Sequence, residues 1–433
     1  MKILAIGASA RSAAQSIQQA KHQVVALDLF VDRDLSEIAH CAAIREFPES
    51  IVEQAASWPD SSILLCGGME NYPEVVAELE KTHPIIGPNS KQILALRELE
   101  NLARWVDAAE DNDWLRFPES SFPKERKTSV IDIEPSADDG AAVPPFDQRL
   151  WKPVRGSAGM RIKKLTVNEP VDFSLGYAQR FISGPVLGIT FLCRPGSTCI
   201  LGAMRNVTLS DLVPVSFEHE IHSPFQYAGS MGPIDLKHHV AARLEQWVDK
   251  TAQSIEYCGL LQADFIVGND GFLYLLEFNP RWTASMELIE FSTGLNLVQE
   301  QIDAQFGSSR SPIRFPASNS TNRHAQWMKR ILYASQRQTI SKETSDAMMQ
   351  RSTSRWNSSN ELSTEVTNNV GWADIPNADT QIDSGTPIAT ILAKQTRNRS
   401  SDARHSMAPN ANDMLAWPEI DEIIDTIPRS LAL

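Results

Sequence analysis

Between Gln262 and Arg281 the chain spaces two carboxylates, a carboxamide and a guanidinium so that a β-hairpin would bring them together. Two runs rich in β-branched and aromatic residues flank Gly268-Asn269-Asp270-Gly271, a strong short-range hairpin signal. Strand side chains alternate faces, so Glu277, Asn279 and Arg281 share one side if the strand stays extended. Pairing about the turn centre sets Asp264 opposite Leu275, diagonal to Glu277 and on its face. Carboxylates on an otherwise apolar sheet are costly unless a positive charge meets them. So few hard oxygen donors suit Mg²⁺ that arrives with a phosphate. A solvated strand explains Asp264 or Glu277 alone; the joint pattern with Asn279 and Arg281 favours a metal–nucleotide site.

A second stretch, Leu150-Trp151-Lys152-Pro153-Val154-Arg155-Gly156-Ser157-Ala158-Gly159-Met160-Arg161-Ile162, predicts a strand, a glycine-rich turn and a strand. Gly156, Ser157 and Gly159 let backbone amides approach a polyphosphate, and Lys152 supplies a point charge for its oxygens. No Gly-Lys-Ser/Thr follows, so this is not a P-loop. Taken alone it reads equally well as a plain glycine hairpin. Lys152 and the later carboxylates favour the functional reading.

An acidic residue, a hairpin turn and then Glu277-Phe278-Asn279-Pro280-Arg281 resemble the metal-binding end of the ATP-grasp superfamily. The run on to Trp282-Thr283-Ala284-Ser285 is especially similar to a branch of predicted ATP-dependent carboligases related to biotin carboxylase. The resemblance implies Mg²⁺ on Asp264, Glu277 and Asn279, ATP phosphates under Lys152 and the glycine loop, and catalysis by Lys152 and Arg281. Gln179, Arg180, Phe181 and Ile182 resemble the hinge against which adenine lies. The acidic ribose ligand expected soon after is not evident in the apolar residues 185–188. Arg205 is similar to an arginine facing the reacting phosphate, with a surface arginine as the equal alternative. Gly68-Met69-Glu70-Asn71 also resembles the carboligases, so Glu70 and Asn71 either touch substrate or cap the helix that starts at Pro73.

These residues need a frame. Residues 2–6, a turn at 7–12, a helix at 12–20 and a strand at 24–27 closed by Asp28 predict a βαβ unit with a parallel sheet. Ser9 and Ser12 stand where a dinucleotide fingerprint has its second and third glycines, so the unit is expected not to bind NAD despite Asp28. Residues 63–66 give a further strand, and Ser90 is expected to cap one long helix to about 109. Residues 227–233 read as a turn, 237–257 and 286–291 as helices. Residues 217–222 show histidine and acid density in what reads as a loop, with zinc the minor reading. Residues 335–369 are polar and expected to be loop or disorder; residues after about 395 offer no motif, and 421–427 are expected to form a final helix.

The fold expected is α/β: a Rossmann-like N-terminal domain (pre-ATP-grasp, 1–110), a linker or insertion (111–149), an ATP-grasp nucleotide and metal domain (150–308) and a β-rich C-terminal subdomain with disordered insertions (309–433). At 433 residues, 42% hydrophobic and 22% charged, the composition is that of an ordinary globular protein. A net charge of −14 argues against general nucleic-acid or membrane-surface binding, since both partners are polyanions. Five scattered cysteines without a CxxC fit a reduced, cytoplasmic setting. The apolar start is too short for an export signal, and no apolar run nears the ~20 residues of a membrane span. The function expected is an ATP- and Mg²⁺-dependent carboxylate-amine ligase acting on small molecules, with homodimer formation open. The alternatives are a bicarbonate-activating carboxylase, which would need a separate biotin carrier, and a nucleotide-binding regulator without turnover.

Overall fold

The computed structural model describes residues 1–110, 113–121, 149–165, 174–212, 223–307, 325–353 and 370–396. Strands β1 (Lys2–Gly7), β2 (Gln23–Asp28), β3 (His40–Ala43), β4 (Ser62–Leu65) and β5 (Ile85–Ile86) form a parallel sheet in the order β3-β2-β1-β4-β5. Its strands are almost continuously apolar because both faces are covered. Ile3 and Ala5 pack with Ile17 of the helix Arg11–Gln19, whereas Leu4 and Ile6 pack with Val76 and Leu79 of the helix Pro73–Leu79. The chain leaving β1 and β4 carries Ser9, Ser12 and Gly67 to the rim of a large cavity, the usual ligand end of such a sheet.

The single helix expected from residue 90 is two. Asn89, not Ser90, caps Ser90–Arg97 through a reciprocal box with Gln92. Glu98 is then extended, at φ −78° and ψ 119°, before Leu99–Asp107 begins.

Strands β6 (Leu115–Arg116), β7 (Ser120–Ser121), β8 (Arg149–Pro153), β9 (Lys163–Lys164) and β10 (Gly176–Arg180) follow, and β7-β10-β8-β9 make a small antiparallel sheet. The large sheet adds β11 (Val186–Arg194), β12 (Ser197–Thr208), β13 (Tyr227–Gly232), β14 (Gly259–Val267), β15 (Leu273–Asn279) and β16 (Ala325–Tyr333). After β17 (Gln338–Thr339) come β18 (Val370–Ala373), β19 (Gln381–Ile382) and β20 (Pro387–Thr396). Nine strands run β18-β20-β16-β13-β12-β11-β14-β15-β6. Tyr227–Gly232, read above as a turn, is thus an inner strand.

Behind this sheet lies the helix His238–Ser254, whose Trp247 stacks on Phe278 at 5.7 Å and meets Phe265 edge-on at 6.2 Å. Phe265 and Phe278 adjoin Asp264 and Glu277 in sequence, so burying the aromatics on one face turns the carboxylates to the other.

Part of the polar region 335–369 is ordered: the helix Lys342–Gln350 buries Met348 and Met349 against Ile340 and Ile388. Residues 122–148, 217–222, 354–369 and 421–427, on which expectations were also placed, lie outside the described residues. Among the described residues no helix is long and apolar enough to cross a membrane.

Candidate active site

The β14–β15 hairpin forms one wall of a cavity of about 930 Å³, within the size range of small-molecule sites. Its register differs from the expected one. Val267 pairs with Leu273, so the turn is one residue longer, and a bulge between Asp264 and Phe265 leaves Leu276 as an extra residue. Together the two shifts set Asp264 directly opposite Glu277 rather than Leu275. Opposed residues on one face are near neighbours, so two carboxylates meet where the sequence suggested a diagonal.

The consequence is electrostatic. Burial first, and then the charge of Glu277, push Asp264 up to about 6 despite hydrogen bonds from Gln262 and Asn279. Burial also pushes Glu277 up, but Arg97, Lys152 and Arg281 outweigh it and hold its carboxyl below the ordinary range. Asp264 thus takes its hydrogen bonds from neutral carboxamides, whereas Glu277 is met by the Arg97 guanidinium at 2.7 Å. Among the described residues no group of three or more His, Cys, Asp or Glu side chains is placed to hold a metal ion by itself. The donor set suits a hard divalent ion that takes its remaining oxygens from a ligand, not a closed protein cage.

Gln262 and Asn206 donate to Asp264 Oδ1 at 2.9 and 3.3 Å, and Asn279 donates to Oδ2 at 2.8 Å. Space for this comes from Gly188, which pairs with Asp264 across β11 and β14; a Cβ there would stand 2.9 Å from the Gln262 amide and 3.1 Å from Asp264. Sequence reasoning passed over Gly188, although a glycine inside an apolar strand often marks such a close approach.

Lys152, on β8, reaches the same cavity. Burial lowers its ammonium to about 8, with Glu277 resisting and Arg97 adding to the fall. Gly156, Ser157 and Gly159 line the cavity beyond it. Gly159 has φ +67°, and a Cβ there would come within 1.9 Å of the Phe225 carbonyl oxygen, so both conformation and space require glycine. Gln179, Arg180, Phe181 and Ile182 also line the cavity, on and just after β10, the strand paired with β8. Gln179 is buried and donates to Ser120 Oγ at 3.0 Å.

Arg281 lies past the end of β15, yet its guanidinium turns back to donate to Asn279 Oδ1 at 3.2 Å. Its Nε stands 2.8 Å from Glu70 as an ion pair. Arg205 is no surface residue: it is 8% exposed, lines the cavity, and meets Asp211 only at 3.9 Å. Glu70 and Asn71 are buried and do not cap the helix Pro73–Leu79, which has no side-chain cap. Arg97, unremarked in the sequence, donates to Glu277 at 2.7 Å and to Asn71 at 3.2 Å. Only its place at the last turn of a helix could have drawn notice. Asp28 accepts from the backbone N–H groups of Ala10, Phe30 and Val31 at 2.6, 2.7 and 2.8 Å, so its carboxylate organises its own loop.

Residues 123–285 match the family model of the ATP-grasp domain. An uncharacterized protein of Methanocaldococcus jannaschii is 23% identical over 257 residues, 58% of this chain and 52% of that protein, so the chain spans about half the length of this relative. The biotin carboxylase domain of 2-oxoglutarate carboxylase from Hydrogenobacter thermophilus, solved with MgADP and bicarbonate, superposes with a TM-score of 0.61 at 16% identity, over 90% of this chain and 85% of that one. Biotin carboxylase from Campylobacter jejuni gives 0.58 at 14% identity, over 91% and 87%. N5-carboxyaminoimidazole ribonucleotide synthetase from Thermotoga maritima gives 0.54 at 10%, over 92% and 94%. Residues 123–285 are thus similar to the ATP-grasp domain, within a fold like that of biotin carboxylase.

Proposed function

We propose that this protein is an ATP- and Mg²⁺-dependent ligase that activates a carboxylate as an acyl phosphate and joins it to an amine. The observation that carries the reading is the directly opposed Asp264–Glu277 pair in a cavity shared with Lys152 and the glycine loop. Asp264, Glu277 and Asn279 would hold Mg²⁺, which when bound supplies the charge that balances the terminal phosphates. Lys152 and the loop around Gly156, Ser157 and Gly159 hold those phosphates from the other side, and Gln179 to Ile182 border the base. A substrate carboxylate oxygen forms a bond to the γ-phosphorus as the bond to ADP breaks. The amine nitrogen then bonds to the acyl carbon, phosphate leaves, and the amine gives up a proton. Arg281 offers a fixed cation to charge that grows during phosphoryl transfer. On this reading 1–110 and 309–433 frame the nucleotide and metal domain at 150–308, and the setting is the cytoplasm.

The test is ADP release that depends on an added carboxylate and amine, after thermal-shift screening with Mg²⁺ and a non-hydrolysable ATP analogue. Glu277→Gln should weaken Mg-ATP binding by at least tenfold more than metal-free ATP binding in calorimetry. Equal weakening of both would remove Glu277 from the metal site. A second reading, bicarbonate activation, is supported by the likeness to biotin carboxylase domains over 90% of the chain. Incorporation of ¹⁴C-bicarbonate without an amine requirement would favour it. Nucleotide binding without any ADP release would leave the regulator.

A further inference from the structure

Ser157, in the glycine-rich loop, is the start of two arms, built of hydrogen bonds and one ion pair, that end on Asn279 and Glu277 of the β15 strand. In the first, the Ser157 hydroxyl donates to Glu70 Oε1 at 3.2 Å, the other Glu70 oxygen pairs with Arg281 Nε at 2.8 Å, and Arg281 donates to Asn279 at 3.2 Å. In the second, Asn71 donates to Ser157 Oγ at 2.8 Å, Arg97 donates to Asn71 Oδ1 at 3.2 Å, and Arg97 donates to Glu277 at 2.7 Å. The hydroxyl thus uses its donor on one arm and an acceptor site on the other. Each arm crosses one residue of the N-terminal region and one arginine.

We propose that Glu70 and Asn71 are positioning residues that latch the glycine loop to the metal-side strand, so that closure of the loop and the placement of Glu277 and Asn279 are set together. The proposal takes its purpose from the nucleotide reading above, but its geometry and its test need no nucleotide. Glu70 and Asn71 are 2% and 9% exposed, and their side-chain oxygens are engaged by Ser157, Arg281 and Arg97, so direct substrate contact would require breaking the latch. A second tie supports the same closed loop: Arg155 pairs with Glu74 at 2.7 Å and lies over the Tyr72 ring at 5.1 Å. These contacts are more exposed and contribute less, whereas the buried arms lose full hydrogen bonds when a partner is removed.

The experiment is hydrogen exchange of residues 154–162 in the full-length, ligand-free chain. Ser157→Ala should speed exchange in this loop by about tenfold, the scale of one or two lost hydrogen bonds. Ser157→Thr keeps the hydroxyl and should restore most of the protection. Glu277→Gln does not touch the loop, yet weakening the Arg97 anchor should also speed exchange there, by about threefold. Thermal melting of each variant guards against general loosening. Loop exchange unchanged in Ser157→Ala, or a Ser157→Ala effect with none from Glu277→Gln, would overturn the latch. Nucleotide binding to the wild-type chain, measured separately by calorimetry, decides the functional reading, so either idea can fail alone.

Discussion

Two charge clusters flank the cavity, one almost wholly buried and the other half-open to the cavity. In the first, Arg11 donates to both oxygens of Glu287, lies 2.9 Å from Asp374 and 3.7 Å from Asp34, while Lys329 donates to Glu287 at 3.1 Å. Burial pushes Glu287 and Asp374 up, but the two cations more than offset it and both carboxyls end below their ordinary range, whereas burial outweighs Arg11 at Asp34 and pushes it up to about 6. This cluster ties the βαβ unit to the helix Met286–Thr293 and to the chain after β18. In the second, Asp264 stays above its ordinary value and Lys152 below its own, each mainly through burial. Charges tied to one another by direct ion pairs make a clamp; a carboxylate and an ammonium held away from their ordinary titration by burial, on a cavity wall, make a place for a charged ligand.

The sharpest way to break the comparison is Arg11→Met, which leaves Glu287, Asp374 and Asp34 buried without their main counter-charge. Stability should fall by about 3–5 kcal/mol in denaturant unfolding. A loss under about 1 kcal/mol would mean that this cluster is no clamp.

Next in size is Arg281→Lys. It keeps the charge but loses the planar guanidinium that pairs with Glu70 and donates to Asn279. We expect kcat for ADP release to drop by about two orders of magnitude, with ATP affinity within a few-fold. If kcat holds while ATP affinity is lost, Arg281 binds the ground state and is not catalytic.

The smallest effect concerns pH. Asp264 titrates near 6 in the folded chain against 3.8 for the free side chain. Its contribution to ligand-free stability is therefore fully present below about pH 4 and lost as pH rises through about 6. A divalent ion needs the carboxylate, so Mn²⁺ affinity should rise by up to tenfold per pH unit between about 5 and 6, then level off. Asp264→Asn should abolish that rise. A flat affinity profile in the wild type would show the two clusters to be more alike than their geometry suggests.

Much of the frame was legible. Apolar runs named β1, β2, β4 and β15, and the Gly268–Gly271 turn named the hairpin, because each signal is local. Pairing within the hairpin was not, since a longer turn and the bulge at Leu276 shift register without altering the alternation that marks a strand. The helix break at Glu98 was hidden for a similar reason: the apolar stripe continues across it. The polar stretch after residue 335 misled by composition, because a few methionines were enough to dock the helix Lys342–Gln350.

By itself the sequence determined which residue types could meet a metal and a polyphosphate: Asp264, Glu277, Asn279, Arg281 and Lys152 with its glycine loop. Chemistry of that kind is written in identity and short spacing. Only the tertiary structure decided that Arg97, Glu70 and Asn71 stand between them, and that Gly188 opens the space around Asp264. Those contacts join residues as far apart as Arg97 and Glu277, and no local pattern encodes a partner that becomes near only when two sheets and a helix end close on one cavity.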